Sequence, residues 1–280
     1  MHINTGLYCF SLQRTHQNID RALQLIYGDV PTVSDFIDFP VALTTGSMLR
    51  RVIKPHVMFE VNQYKPFMPL PAEHAFALLE WGMNWCIAAH EFTRLILHSA
   101  VLVKNNKAIV FPAMPGSGKS TLTAFFSLSG WQLYSDEMAI IEPSSALVHP
   151  LYRPVCLKNN SIDLIKKHFP QAQFTPTCRD TQKGDVAHLK ALTWHEHSNF
   201  TPCEIAAVVF PQYKNGCEFS FYQLDKVEGF SRVIKNAFNY DVMGKLGFET
   251  MGRLANRAEF FECQYADYVE LSDCLDELVR

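Results

Sequence analysis

The 280-residue sequence predicts a protein of the α/β class. An apolar strand is expected over residues 108–111, followed by a glycine-rich loop over 113–118 and a helix over 119–129. The next strand is expected at 133–134 and 138–141. Strand, loop, helix and strand in this order are typical of a βαβ unit, in which the loop lies at the edge of a sheet.

The residues before this unit are expected to form a smaller α+β domain. Ile19, Leu23 and Ile26 share one face of a helix predicted over 20–27, and a longer amphipathic helix is expected to begin near Ala72. Strands are predicted between these helices, over 36–44 and 52–61. We therefore expect an N-terminal α+β unit over residues 1–92 and a second domain over 93–280.

Composition excludes several classes of protein. A net charge of −3 argues against a general nucleic-acid-binding protein, which should be strongly basic. The sequence has no uncharged apolar stretch of 18 residues and no signal-peptide pattern at its start, so neither a membrane span nor export is expected. The eight cysteines include no C-x-x-C spacing, which leaves zinc and thioredoxin-like sites unsupported. A cytoplasmic protein with mostly buried free thiols is expected.

The glycine-rich loop matches the phosphate-loop pattern, with Ala113 in place of its first glycine. Small residues let backbone N–H groups close around a phosphate, and the positive end of the following helix adds to the attraction. The lysine of the pattern reaches the β- and γ-phosphates, and the serine hydroxyl after it binds Mg²⁺. The predicted nucleotide-binding residues are Pro115, Gly116, Ser117, Gly118, Lys119, Ser120 and Thr121.

Two acidic residues follow the loop early. Asp136 comes 17 residues after Lys119, at the predicted tip of the next strand. Because loop tips of parallel strands gather at one edge, Asp136 is expected near the γ-phosphate, where it would take the proton of an attacking hydroxyl or help to hold Mg²⁺. Glu137 would bind Mg²⁺ through water. The alternative is a helix-capping or solvent-facing pair of carboxylates.

Three further side chains are candidates for charge stabilisation or for placing the acceptor. Arg153 is held in an extended segment by Pro154 and is expected to bridge phosphates, unless it forms a surface ion pair. Lys183 and His188 are expected in one polar loop, where Lys183 would neutralise the moving phosphoryl group and His188 would position the acceptor. The alternative for both is a loop or packing role.

The chain resembles the HPr kinase/phosphorylase family, most closely its HPr-related kinase A branch. The resemblance rests on residues 96–101 around His98, on the phosphate loop, and on residues 130–137, which end in Asp136-Glu137. Further segments similar to that branch lie at 79–86, 153–162, 183–188 and 237–240.

The resemblance implies a P-loop kinase core of the type shared with phosphoenolpyruvate carboxykinase, covering residues 93–280, and phosphorylation of a serine-type hydroxyl with ATP and Mg²⁺. In this resemblance Asp136 is the catalytic carboxylate, Glu137 its acidic neighbour, and His98 the histidine that precedes the loop. It also implies a peptide or small-protein acceptor, a PqqD-like peptide-binding partner encoded nearby, and a homo-oligomer.

The sequence departs from the HPr kinases within the loop. Those enzymes have Asp second in the loop and Glu directly after its Ser, where this chain has Met114 and Thr121. These differences argue against reverse phosphorolysis and against HPr itself as the acceptor. Two alternatives stay open: a kinase of a small hydroxy compound such as serine or a sugar, and a nucleotide-sensing module without turnover.

Overall fold

The computed structural model describes residues 1–16, 19–31, 36–46, 55–114 and 116–280, and it is a mixed α/β structure with several sheets. Pro115 and the start of the strand predicted from residue 52 lie outside the described residues. The chain divides into two compact units, Met1–His90 with Cys156–Asn199, and Glu91–Val155 with Phe200–Arg280. Sequence analysis expected one uninterrupted domain from residue 93, whereas the structure groups residues 156–199 with the N-terminal segment.

The first unit contains two sheets. One has its strands in chain order, β1 (His2–Asn4), β2 (Cys9–Arg14), β3 (Phe39–Thr45), β4 (His56–Val61) and β5 (Leu70–Pro71). The other runs β11 (Val155–Lys158), β14 (Gly184–Lys190), β12 (Gln173–Phe174), with β13 (Cys178–Thr181) also paired to β14. Its helices are α1 (Asp20–Tyr27), α2 (Ala75–His90), α4 (Asn160–His168) and α5 (Trp194–His197).

The second unit is built on one mixed sheet. Its order is β10 (Val148–His149), β9 (Met138–Ile141), β6 (Leu95–Lys104), β7 (Lys107–Pro112), β15 (Glu204–Tyr213), β17 (Glu259–Tyr265), β16 (Ser220–Leu224), and β8 (Gln132–Ser135) also pairs with β6. The helices are α3 (Lys119–Leu128), α6 (Lys226–Ile234), α7 (Tyr240–Met243), α8 (Lys245–Arg257) and α9 (Val269–Leu278). β7, β15 and β17 are parallel neighbours, so their carboxyl ends meet at one edge.

The glycine loop directly follows a hairpin of β6 and β7, whose turn lies at the opposite end of β7. Asn105 and Asn106 both have positive φ, as a tight hairpin turn between twisted strands requires, so β7 returns antiparallel along β6. Ser99 pairs with Pro112, the last residue of β7. The glycine loop therefore begins where β7 leaves the sheet, beside His98 on β6.

The core of the second unit lies against this sheet. It joins apolar side chains of β6, β7 and β15 to those of α6 and α8, including Val101, Val110, Val208, Val233 and Leu254. The last residues of β7, Phe111 and Pro112, are buried and lead directly into the loop. Within the described residues, no helix combines the length and the apolar character needed to cross a bilayer.

Candidate functional site

The glycine loop is shaped by two residues with left-handed backbone. Gly116 and Gly118 each have φ of +89°, a conformation that costs any other residue about 1 kcal/mol or more. A Cβ atom on Gly118 would lie 2.7 Å from Cβ of Tyr213 and 3.2 Å from Oη of Tyr265. Gly118 is therefore required both by its dihedral angle and by the close approach of β15 and β17.

Backbone hydrogen bonds hold the loop to the sheet. The N–H of Ser117 donates to the carbonyl of Met114 at 3.2 Å, and the N–H of Tyr213 donates to the carbonyl of Ser117 at 2.9 Å. Gly118 then precedes α3 directly, and its carbonyl accepts the N–H of Leu122 at 2.9 Å. The first-turn N–H groups of α3, whose partners a helix cannot supply, consequently face the space inside the loop.

Three buried polar atoms around this loop make no hydrogen bond within the part of the chain that the structure describes. They are Nζ of Lys119, Oγ of Ser117 and Oη of Tyr265. Only 8% of Lys119 is exposed, and a buried ammonium without a partner is costly. All three are hydrogen-bond donors, so together they fit an anion better than any other group.

The Tyr265 hydroxyl stays protonated and can donate a hydrogen bond to an anion. Burial raises the pKa of Tyr265 well above its ordinary value of 10, so the hydroxyl stays neutral at physiological pH. Its ring packs 5.7 Å from the rings of both Tyr213 and Tyr268. This residue, 146 positions beyond Lys119, was not found from the sequence because no local pattern links β17 to the loop.

Ser120 and Asp136 are brought together beneath the loop. The Ser120 hydroxyl donates to Oδ2 of Asp136 at 3.0 Å, and only 1% of Asp136 is exposed. Asp136 directly follows Ser135, the last residue of β8, and lies in the break between β8 and β9. Both strands pair antiparallel with β6, so the chain continues past Asp136 along the same neighbour. The break turns the carboxylate towards α3.

His98 and Glu137 form a second pair at the same edge. Nε2 of His98 lies 3.1 Å from Oε2 of Glu137, and the N–H of Ser99 donates to the Glu137 carbonyl at 3.2 Å. Both side chains are about one-third exposed. The His98 ring also lies 5.5 Å from the Phe238 ring. The pair is accessible to a ligand and is connected to the break that holds Asp136.

The segment that carries Phe238 continues the sheet where β7 ends. The N–H of His98 donates to the carbonyl of Asn236 at 2.7 Å, and Leu97 forms a bridge with Ala237. The buried side chain of Asn239 accepts the N–H of Ile96 at 3.0 Å and donates to the carbonyls of Glu91 and Arg94. Sequence analysis assigned Asn236 and Asn239 no role, although residues 237–240 contributed to the family resemblance.

Three other residues predicted for the site, Arg153, Thr121 and Lys183, lie in different parts of the fold. Arg153 is buried in the second unit, four residues after β10 in the chain, and Thr121 is half-buried in the first turn of α3. Lys183 and His188 belong to the first unit. Lys183 lies in the turn between β13 and β14, with Nζ 4.8 Å from the centre of the Trp81 ring.

The expectation of one polar loop holding Lys183 and His188 is wrong. His188 lies within β14, where only 1% of it is exposed, and its ring packs edge-on against Phe76 at 5.2 Å. Its N–H donates to Oγ1 of Thr175 at 3.0 Å. The apolar residues Val186, Ala187 and Leu189 surround His188 in β14, and all four residues are buried, whereas the sequence had predicted a loop here. Pro115 lies outside the described residues.

Neither the family models nor the curated proteins contain a match to this sequence. The geometry of the loop and of its neighbours therefore carries the functional argument.

Proposed function

We propose that this protein is a kinase that transfers the γ-phosphate of ATP, with Mg²⁺, to a serine-type hydroxyl of a peptide or small protein. The observation that carries the proposal is the buried ammonium of Lys119, which has no hydrogen-bond partner within the described residues and stands at the head of α3 inside a glycine loop. A phosphate would supply the missing negative charge. The same loop places Ser117 and first-turn N–H groups around that position.

The donor set fits a nucleotide with a magnesium ion. Ser120 and Asp136 provide a hydroxyl and a carboxylate 3.0 Å apart, which are oxygen ligands of the kind Mg²⁺ prefers. Among the described residues, no group of three or more His, Cys, Asp or Glu side chains is arranged to hold a metal alone. This favours an ion that arrives with phosphate oxygens, because Mg²⁺ in kinases is bound by one or two carboxylates together with the substrate. Bound there, the ion would neutralise charge on the phosphates.

The catalytic roles follow from position and charge. Asp136 would accept the proton of the acceptor hydroxyl, and Glu137 with His98 would orient groups at the exposed side of the site. Arg153 would stabilise charge on the phosphates, whereas the roles of Lys183 and His188, which belong to the first unit, stay predictions from the sequence alone. Catalysis would then consist almost entirely of positioning and electrostatic stabilisation. The preference for ATP over GTP, and a PqqD-like partner that presents the peptide, rest on the family resemblance alone.

The test is phosphate transfer to a defined set of acceptors. The protein is incubated with ATP and Mg²⁺ and with serine-containing peptides or a pool of free hydroxy metabolites, and products are followed by intact mass and ³¹P spectra. Lys119→Ala and Asp136→Asn are the test variants, and Lys245→Ala, whose side chain is 90% exposed, is the matched control. We expect a peptide to gain one phosphate with the wild type and the control, and with neither test variant.

The other outcomes separate the alternatives. Phosphate on a metabolite, but on no peptide, would replace the peptide kinase by a kinase of small hydroxy compounds. Tight ATP binding without any labelled acceptor would favour a nucleotide-sensing module. Transfer that survives in Asp136→Asn would remove the assigned role of that carboxylate.

A further inference from the structure

A cleft of about 500 Å³ opens beside the glycine loop, within the second unit. Its walls come from four places in the chain: the loop around Met114 and Ser117, the end of β15 at residues 210–213, the end of α6 with the following residues 235–236, and Glu262 on β17. Cavities of this size are typical of ligand sites, and this one lies at the carboxyl ends of parallel strands, where α/β proteins bind their ligands.

The cleft touches the phosphate loop without being the same site. It shares Gly116 and Ser117 with the loop, whereas Lys119, Ser120 and Asp136 are not among its described lining residues. Its other wall includes Asn236, whose carbonyl accepts the N–H of His98 at 2.7 Å. A molecule in the cleft would therefore lie next to a phosphate held by the loop, and next to the segment that positions His98.

The charges in the cleft leave one cation without an ion pair in the described part of the chain. The Arg232 guanidinium is neutralised by Glu262 and by Glu228, the latter at 2.6 Å, and it lies 5.7 Å from the centre of the Phe210 ring. Lys235 is exposed and forms no such pair among the described residues. The cleft thus presents a positive charge that an anionic group on a ligand could approach from solvent.

The rest of the lining is largely apolar and open. Met114 is 75% exposed and Tyr213 is 41% exposed, and Pro211 and Phe210 complete this side. A sugar or a free amino acid calls for a set of polar groups that enclose it and match its hydroxyls. An open apolar wall beside Lys235, which has no ion pair among the described residues, suits an extended peptide better, because side chains of the peptide would cover Met114 and Tyr213.

We propose that this cleft binds the phosphoryl acceptor as an extended peptide segment, with an acidic residue of the peptide placed against Lys235. This inference rests on the proposed kinase function and names its acceptor site. The hydroxyl to be phosphorylated would then face the loop at Ser117. The acidic residue would lie before or after it in the peptide, separated from it by the distance between Ser117 and Lys235 across the cleft.

The experiment measures which peptides are phosphorylated and how this choice changes with the charge at position 235. Serine peptides with every residue varied in turn at the flanking positions are offered with ATP and Mg²⁺, and kcat/KM for the peptide and KM for ATP are determined separately. We expect the wild type to prefer an acidic residue at one flanking position. Lys235→Glu should lower kcat/KM for that peptide about 3- to 10-fold and raise it for the peptide with Lys there.

Lys245→Glu, a charge reversal on α8 at a residue that does not line the cleft, is the control and should leave the preference unchanged. An unchanged preference in Lys235→Glu, with transfer intact, would overturn the acceptor site while the kinase function stands. A change confined to KM for ATP would overturn it too, since the cleft would then hold the nucleoside. If no acceptor of any class is phosphorylated, the kinase function fails and this inference fails with it.

Discussion

Ser120 on α3 and Asp136 between β8 and β9 are joined by a hydrogen bond of 3.0 Å from the hydroxyl to Oδ2. The bond links the helix that begins at the glycine loop to the strand on the far side of β6. It aligns two oxygen atoms suited to one magnesium ion. The two residues thus connect the loop, the acidic pair and the sheet in a single contact.

Asp136→Asn removes the negative charge of the carboxylate but retains a side chain of the same shape that can accept the hydrogen bond from Ser120. The amide oxygen of Asn still accepts the Ser120 hydroxyl, so we expect the melting temperature to change by only a few degrees. The lost negative charge should weaken Mg²⁺-dependent nucleotide binding about tenfold or more and abolish phosphate transfer. Calorimetric titration with and without Mg²⁺ measures the effect, and equal affinities for wild type and variant would contradict it.

Lys119→Met should make the protein more stable when no ligand is bound. The variant replaces a buried ammonium, which has no hydrogen-bond partner among the described residues, by an apolar chain of similar length, and this should raise the free energy of unfolding by about 1 to 3 kcal/mol. Nucleotide should stabilise the wild type and not the variant, because the charge that holds the phosphates is gone. Denaturant unfolding with and without ATP and Mg²⁺ tests both statements.

Lys245→Met is the control for that comparison, since its side chain is 90% exposed. A less stable Lys119→Met protein would show that the wild-type ammonium is already satisfied in the unliganded molecule. The argument from Lys119 to an anion site would then lose its basis.

Gly118→Ala should damage the loop more than a glycine substitution at the other end of α3. A Cβ at position 118 would lie only 2.7 Å from Tyr213, and the loop would hold the alanine at φ of +89°, which is strained for any residue with a Cβ. We therefore expect the free energy of unfolding to fall by about 2 to 4 kcal/mol and nucleotide binding to be lost. Gly130→Ala has a similar φ of +101° but no atom within 4 Å, and should cost about 1 kcal/mol. Urea unfolding of the two variants gives the comparison, and equal losses would exclude the steric argument.

Tyr265→Phe removes a buried hydroxyl that has no partner in the described part of the chain and retains the ring. The unliganded protein should be as stable as the wild type or slightly more so, because an unsatisfied polar atom is lost. If the hydroxyl contacts the bound phosphates, affinity for nucleotide should fall about 2- to 10-fold. Tyr268→Phe, changed within the same aromatic cluster, serves as control. Unchanged affinity in Tyr265→Phe would limit the residue to packing.

Stability should fall as the pH is lowered from about 6.5 towards 4. Burial lowers the pKa of His197 to about 4, while the unfolded chain titrates near 6.5. Between these values the unfolded state binds more protons, so the contribution of His197 to stability rises with pH across this window, by about 3 kcal/mol in total, and is constant below it. His149, whose pKa burial also lowers, contributes with the same sign.

His197→Phe isolates the first contribution. The aromatic ring can still pack against Trp194, 5.3 Å away in the wild type, but it does not titrate. The pH profile of unfolding should therefore be flatter in this variant than in the wild type between pH 4 and 6.5. Parallel profiles would mean that His197 is protonated in the folded protein as readily as in the unfolded one.

Short stretches of sequence determined several elements of the second unit. The hairpin with Asn105 and Asn106 at its turn, the glycine loop and the helix from Lys119 each depend on a few adjacent residues whose dihedral angles and apolar spacing are local properties. The α/β class predicted from these stretches is confirmed. The interruption of the strand at Asp136 was also visible, because polar residues broke an apolar run.

Only the tertiary structure decided what surrounds the loop. Tyr265 reaches Gly118 because β17 pairs in parallel with β15, and the cleft exists because the end of α6 meets the end of β15. His188 is buried in β14, where its ring packs edge-on against Phe76 of α2, although its neighbours in sequence looked like a loop. Pairing between strands that are far apart in the sequence depends on how the apolar faces of the sheet and helices are buried together. A short stretch of sequence does not contain this information, so these contacts could be seen only in the folded chain.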